Sequence, residues 1–395
     1  MEEKHVIIIG GGTVGIAVAA RLRKASKALR LTVIDPASRH YYQPIWTLVG
    51  GGLASFEESD HAMEEYMPKG VTWLKERVSG IDAAGKTVST EEGTSLTYDA
   101  LVVAPGIRLV MDEVDGLEEA LEQDARVWTN YSPKYVTKGK AAIDGFEGGS
   151  TWFTFPNSPV KCGGGPQKSM YIAEQWLEKR GQKATSTVNY VAPGGKIFGV
   201  PKYCETLEGI VEQRGIATHF FQHLVAVDHA NSTITLEHVE TKERTTHTYD
   251  LLHVTPPQRA FPFVAESGIA NDAGFVNVDK ATLQHVEHPE IFSAGDASSL
   301  PTAKTGAAVR KQAPILVANL LAHLKGESLK PKYDGYTSCP LVVSHKHVVL
   351  AEFGYDGAIL ESFPFNQAKP RRSMYFLKRN LLPGVIYNRM MKGKM

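Results

Sequence analysis

The chain is poor in cysteine, with three in 395 residues: Cys162, Cys204 and Cys339. So few exclude a disulfide-stapled secreted scaffold. No uninterrupted apolar run reaches the roughly 18 residues that a membrane-spanning helix needs. No signal or transit segment is read before the first strand near Val6, so a cytoplasmic location is expected. Low-complexity tracts are absent. The histidines of the middle (His219, His223, His229, His238) are scattered, without the spacing to cysteines or carboxylates that a metal would require, and no metal site is expected. No nucleic-acid partner is expected either. Formal net charge is zero, but acid is missing from one place. From Lys369 to Met395 there are eight Lys or Arg and no Asp or Glu, which leaves thirty-five basic against forty-three acidic groups in the remainder. A basic tail on an acidic body points to an anionic surface as partner.

What is present is globular composition, 43% hydrophobic, at a length that suits two or three domains with large cores. Val6-Ile7-Ile8-Ile9 is a short apolar run of the kind buried on both faces of a parallel sheet. It enters Gly10-Gly11-Gly12-Thr13-Val14-Gly15, then a small-residue helix, then the strand Leu31–Ile34 ending at Asp35. This is strand, G-x-G-x-x-G, helix, strand, acid. Gly10 permits the tight turn, Gly12 lets a pyrophosphate approach the backbone, and Gly15 lets helix and strand pack closely. Asp35 can accept from a ribose hydroxyl. Dinucleotide binding follows.

Two later segments bear on which dinucleotide. Tyr98–Gly106 is an acid-led buried strand ending in a small-residue turn, and Ile291–Asp296 is an apolar strand ending in Gly-Asp. They resemble the second and third fingerprints of the two-dinucleotide-domain flavoproteins, the disulfide-reductase superfamily, and imply FAD. The segment Leu300–Gln312 reads as a loop feeding a helix, whose N-terminus would stabilise negative charge on a reduced flavin. In nicotinamide-using relatives, the block between the fingerprints carries its own glycine motif. Here Thr151–Phe155 is followed by Pro156-Asn157-Ser158-Pro159-Val160-Lys161-Cys162, and Val188–Ala192 by Pro193-Gly194-Gly195-Lys196. Neither is the fingerprint, so the second domain is expected to keep the fold without nicotinamide binding. A helix near Lys202–Gln213, a strand at Ala217–Phe221 and a hairpin near Leu224–His247 complete the block.

Electrons must then enter elsewhere. Cys162 stands in a Gly-rich turn and reads as part of the first turn of an amphipathic helix, between Lys161 and Lys168. Helix N-terminus and cations favour a thiolate, although a small buried residue beside a tight turn would read the same way. Cys204 has no such surroundings and reads as structural. Cys339 precedes a proline at a strand start. Val348–Gly354 and Ile359–Phe365 look like a hairpin. The tail interleaves Met374–Leu377 and Leu381–Tyr387 with Lys378, Arg379 and Arg389. This suits a surface lying in a membrane interface, or else a packed helix with solvated charges.

Over essentially its whole length the chain resembles the sulfide:quinone oxidoreductases of mitochondria and related bacteria. The most specific segments are His40–Gly50, Phe153–Lys168, His253–Pro257, Asp279–His285 and Lys332–Val342. The resemblance implies FAD, hydrogen sulfide as electron donor, a membrane quinone as acceptor, and a sulfur acceptor such as glutathione, sulfite or cyanide. The redox pair matches Cys162 and Cys339. The FAD contacts carry over to Gly10, Gly12, Thr13, Val14, Gly15, Asp35, Gln43, the Val78 backbone, Asp296, Thr305 and Gly306. Asp35 stands where a glutamate is usual. The relay so implied has hydrosulfide attacking Cys339 of a Cys162–Cys339 bridge and freeing Cys162, aided by Lys161, as the thiolate beside the flavin. Quinone enters near Phe353, Phe363, Phe365 and the tail.

The expected class is therefore α/β, with two Rossmann-like domains, one binding FAD and one degenerate, and a C-terminal membrane-facing segment. The divisions are 1–112 and 263–330 for the FAD domain, 113–262 for the second domain and 331–395 for the C-terminal segment. The enzyme would be peripheral on the cytoplasmic side of a membrane. The competing readings are a type II NADH:quinone dehydrogenase and a non-enzymatic redox-sensing flavoprotein.

Overall fold

Val6, Ile7, Ile8 and Ile9 are at most 3% exposed, as a strand covered on both faces requires. In the computed structural model, which describes residues 3–395, the strand His5–Ile9 is the middle of a five-stranded sheet. The order is Ile291–Ser293, Ala100–Val103, His5–Ile9, Arg30–Ile34, Thr72–Leu74, and every pairing is parallel. Helices Thr13–Ala25 and Gly306–Leu324 pack against each other beside it. A second all-parallel sheet runs Val127–Trp128, Leu251–Val254, Gly149–Thr154, Ser186–Ala192, Ala217–Phe220. Two similar α/β units result, and the chain passes between them where Arg108–Leu109 pairs antiparallel with Gln258–Arg259.

Each unit carries an antiparallel meander of three strands: Val78–Asp82, Thr87–Thr90, Ser95–Thr97 in the first, and Gln222–Asp228, Thr233–His238, Arg244–Thr248 in the second. The hairpin expected near Leu224–His247 is thus a three-stranded sheet. Its last strand, Arg-Thr-Thr-His-Thr, has no buried position, so no apolar alternation marks it.

The C-terminal hairpin also differs from expectation. His347–Phe353 pairs backwards with Thr337–Ser344, from Thr337 opposite Phe353 to Ser344 opposite His347. Ile359–Phe365 makes a single bridge, Phe353 to Ile359. Pro364 has no N–H for a ladder, whereas Leu341–Val343 and Val348–Ala351 are buried throughout and belong to paired strands whose register shifts only between Val342 and Ser344. Cys339 is accordingly the third residue of a strand. Beyond it lies one continuous helix: Arg372–Phe376, a stretch Leu377–Tyr387 wound as a π-helix, and Asn388–Met391. Among the described residues no helix is long and apolar enough to cross a membrane.

Candidate active site at the junction of two units and the hairpin

Cys162 lies between the strand Gly149–Thr154 and the helix Gly165–Lys179. It is not in the first helical turn, as its sequence position suggested. It precedes the helix, in a turn closed by the Gly165 amide donating to the Cys162 carbonyl at 2.6 Å. Its φ is +95°, a left-handed conformation uncommon outside glycine. The strand Thr337–Ser344 brings Cys339 to it from 177 residues away, Sγ to Sγ 4.0 Å, both as free thiols. The approach needs a glycine at 164. A Cβ there would lie 2.7 Å from Cys339 Sγ and 2.3 Å from Leu341 Cδ2.

The cation at the thiol pair is Lys168. Its side chain is buried and Nζ donates to Cys162 Sγ at 3.1 Å. Cys162 is held well below the usual thiol range, first by the hydrogen bond from the Cys339 thiol and then by Lys168, both against burial. Cys339 is pushed well above it, by the same hydrogen bond and by burial. Burial opposes the Lys168 ammonium, but the two sulfurs outweigh it and its pKa is raised. The arrangement is a Cys162 thiolate between a Cys339 thiol and a Lys168 ammonium. Lys161, expected to assist, faces elsewhere: burial lowers its pKa, and the charge it feels is Asp296. The signal for Lys168 was present in its place at the fourth residue of the helix that follows Cys162.

No pattern in the sequence distinguishes Lys378 from the other cations of the tail, yet it is 3% exposed and its Nζ donates to the Pro44 carbonyl at 2.5 Å. Burial and the nearby Lys168 bring its pKa down to about 7, against the pull of Cys162 and Cys339. Arg379 is likewise engaged, its guanidinium on both oxygens of Glu58 at 2.6 and 2.8 Å.

The glycine loop stands at the head of the first sheet. Gly10 has φ +97°, and a Cβ on Gly15 would fall 1.8 Å from the Gly10 carbonyl oxygen, so the tight turn and the close helix excludes side chains at both. Gly12 is exposed, and a Cβ there would meet nothing, which leaves the open face a phosphate needs. The first-turn amides that follow, from Thr13 and Val14, have no partners inside the helix. Asp35 Oδ2 accepts from Gly11 N at 2.6 Å and Oδ1 from Ala37 N at 2.7 Å, and burial raises its pKa despite both. Val78 is buried at the start of the first meander, and Gln43 is exposed at the start of a short 3-10 turn. Pro44 packs toward Gly306. Thr305 caps the long helix by accepting from Ala308 N at 3.1 Å and is itself fixed by Thr337 Oγ1 at 2.8 Å. Asp296 has its pKa raised by burial against Lys304 and Lys161. These residues fit a dinucleotide running from Asp35 past Gly12 to the Thr305–Gly306 turn and the thiols.

Cys204 belongs to another environment. It is buried, donates to Glu208 Oε1 at 3.3 Å, and burial raises its pKa. The aromatics expected together divide. Phe363 and Phe365 stack with centroids 5.2 Å apart, whereas Phe353 packs edge-on to Phe198 at 5.9 Å and lines a cavity of about 510 Å³ with Pro159, Val200, Leu300 and Lys304. No group of three or more His, Cys, Asp or Glu that could hold a metal occurs among the described residues.

The pyridine nucleotide-disulphide oxidoreductase family matches residues 4–313. The mitochondrial sulfide:quinone oxidoreductase of Mus musculus is 39% identical over 98% of this chain and 86% of its own. That of Dictyostelium discoideum is also 39% identical, with the same coverage of both chains. The crystal structure of the sulfide:quinone oxidoreductase from Aquifex aeolicus shares the fold at a TM-score of 0.83, with 18% identity over 99% of this chain and 92% of that one. Relatives that are this similar over nearly the full length, and a fold in common, place the chain in the sulfide:quinone oxidoreductase family of flavin-dependent pyridine nucleotide-disulphide oxidoreductases.

Proposed function

We propose that this chain is an FAD-dependent enzyme that oxidises hydrogen sulfide to sulfane sulfur at Cys162 and Cys339 and passes the electrons to a membrane quinone. The observation that carries this reading is the thiol pair, 4.0 Å apart with Lys168 at 3.1 Å from Cys162. It stands where a nicotinamide loop would have its glycines. The residues that would hold FAD are Gly10, Gly12, Thr13, Val14, Gly15, Asp35, Gln43, the Val78 backbone, Asp296, Thr305 and Gly306. The bound flavin supplies a two-electron acceptor beside Cys162 that quinone can reoxidise.

In the oxidised enzyme, a bridge joins Cys162 and Cys339. Hydrosulfide attacks Cys339 Sγ, a new S–S bond forms there, the Cys162–Cys339 bond breaks, and Cys162 leaves as thiolate. The asymmetry of the pair favours this direction, because Cys162 is the stabilised anion and a lower leaving-group pKa speeds exchange. Lys168 holds that anion. An acceptor nucleophile such as glutathione, sulfite or cyanide then takes the outer sulfur from Cys339, and the Cys162–Cys339 bond re-forms with loss of two electrons, for which a bound flavin would be the acceptor.

The membrane surface is read from the C-terminal helix. Phe376, Leu381 and Val385 are 57, 38 and 49% exposed, and Arg372, Arg389, Lys392 and Lys394 stand exposed beside them. Apolar side chains rimmed by cations suit an anionic bilayer interface. We place the enzyme as peripheral on the cytoplasmic side, with the FAD domain at 1–112 and 263–330, the second domain at 113–262 and the membrane-facing segment at 331–395.

An anaerobic titration tests the function. Sulfide alone should bleach the flavin absorbance, and a soluble quinone should restore it. Bleaching by NADH and not by sulfide would favour a type II NADH dehydrogenase, and bleaching by neither a redox-sensing flavoprotein.

A further inference from the structure

The inner face of the C-terminal helix makes a hydrogen-bonded chain that ends in the glycine loop. Tyr387 is buried, and its hydroxyl lies 2.5 Å from His40 Nε2 and 3.0 Å from Thr13 Oγ1. His40 Nδ1 lies 3.3 Å from the Gly11 carbonyl oxygen. The carbonyl can only accept, so Nδ1 carries the ring proton and Nε2 is the acceptor. Tyr387 therefore donates to His40, and Thr13 donates to Tyr387. The Thr13 hydroxyl proton is committed to the helix, which leaves the backbone amides of the loop to meet a phosphate.

The winding of the helix allows this reach. Lys378 and Tyr387 are nine residues apart and both buried, while Phe376 and Val385 are nine apart and both exposed. Nine residues are about two and a half turns of an α-helix, which would put each pair on opposite faces. The i→i+5 bonding of Leu377–Tyr387 widens the turn and brings each pair onto one face. One helix thus sets Lys378 at the thiols and Tyr387 at the glycine loop, the two ends of the path that a dinucleotide would follow. Its far end is tied down as well: Met390 and Met391 are buried, the end of the helix packs on Thr13–Ala25, and Lys24 Nζ donates to the Gly393 carbonyl at 3.2 Å.

We propose that the helix Arg372–Met391 is a clasp on the bound nucleotide, with Tyr387 and His40 as positioning residues that hold the Gly10–Gly15 loop in its binding shape and slow cofactor release. The proposal rests on the reading of FAD as cofactor. Two consequences follow. Loss of one hydrogen bond of the chain loosens the loop without touching the thiols. Because coupling is reciprocal, bound FAD must also hold the helix closed.

The test uses the purified holoenzyme. FAD release is followed by the rise of free-flavin fluorescence on dilution, in the parent and in Tyr387→Phe and His40→Asn, which keeps a donor for Gly11 but does not reach Tyr387. Release should quicken roughly tenfold in each, the scale of one net hydrogen bond. In the unaltered protein, trypsin should cut at Arg389 and Lys392 more slowly with FAD bound than after the flavin is stripped. Unchanged release in both variants, or equal cleavage with and without FAD, overturns the clasp. A parent protein that holds no FAD, even when it is supplied, overturns the cofactor reading and the clasp with it.

Discussion

Replacing Lys168 by methionine removes the ammonium from the thiol pair and keeps most of the buried volume. The Nζ–Sγ contact of 3.1 Å is a charge-assisted hydrogen bond in a buried site. Such a bond contributes about 1.5–3 kcal/mol, which is roughly ten- to hundredfold in an equilibrium. The Cys339 thiol still donates to Cys162, and Lys378 still contributes charge, so the lower part of that range is expected. The Cys162 pKa should rise, and the thiolate fraction near neutral pH should fall about tenfold or more. Alkylation of the reduced, anaerobic protein by iodoacetamide between about pH 5 and 9, with peptide mapping, reads the thiolate directly. Labelling of Cys162 in the parent should persist to lower pH than labelling of Cys339 or Cys204. In Lys168→Met the Cys162 profile should move to higher pH while that of Cys204 stays. Identical Cys162 profiles in parent and variant would refute the assignment of Lys168 as the cation that holds the thiolate.

Cys162 at φ +95° costs about 1–3 kcal/mol of backbone strain. Cys162→Gly should therefore melt higher than Cys162→Ala, although neither sustains sulfide-driven flavin bleaching. Gly164→Ala should force the thiols apart by putting a Cβ 2.7 Å from Cys339 Sγ. Thiol titration after mild oxidation should find Cys162 and Cys339 still free in the variant and bridged in the parent. Burial lowers His253 to a pKa of about 3 and His40 to about 4. The unfolded chain binds protons at both rings below about 6.5 while the folded chain does not. Their contribution to stability is complete above that pH and declines as pH falls toward 4, by about 1.4 kcal/mol per pH unit for each ring. Denaturant titrations of His253→Gln should show a shallower decline over that window, and an unchanged slope would refute the role of burial at His253.

Much of the fold could be read locally. Val6–Ile9, the glycines at 10, 12 and 15, and Asp35 form a unit in which each residue type answers a steric or hydrogen-bonding need within about thirty residues. The second sheet was legible from its apolar strands, and its missing glycine motif from the prolines at 156 and 159. The meander strand Arg244–Thr248 escaped because its side chains bury nothing. The partner of His347–Phe353 was misread because pairing is decided by which strand is buried with it, not by which follows it.

The site divides in the same way. Sequence alone determined a cysteine in a Gly-rich turn between two lysines, a G-x-G-x-x-G loop between strand and helix, and a tail with cations but no acids, because short-range spacing and composition carry that information. Tertiary structure decided what depends on distance between remote atoms. It set Cys339 at 4.0 Å from Cys162, chose Lys168 over Lys161 as the cation at the thiolate, and turned Lys378 and Tyr387 inward from a tail that reads as surface. The last of these follows from the π-winding of Leu377–Tyr387. No α-helical or alternating period in the sequence matches that turn, and it places residues nine apart on a common face only once the helix is packed against the rest of the molecule.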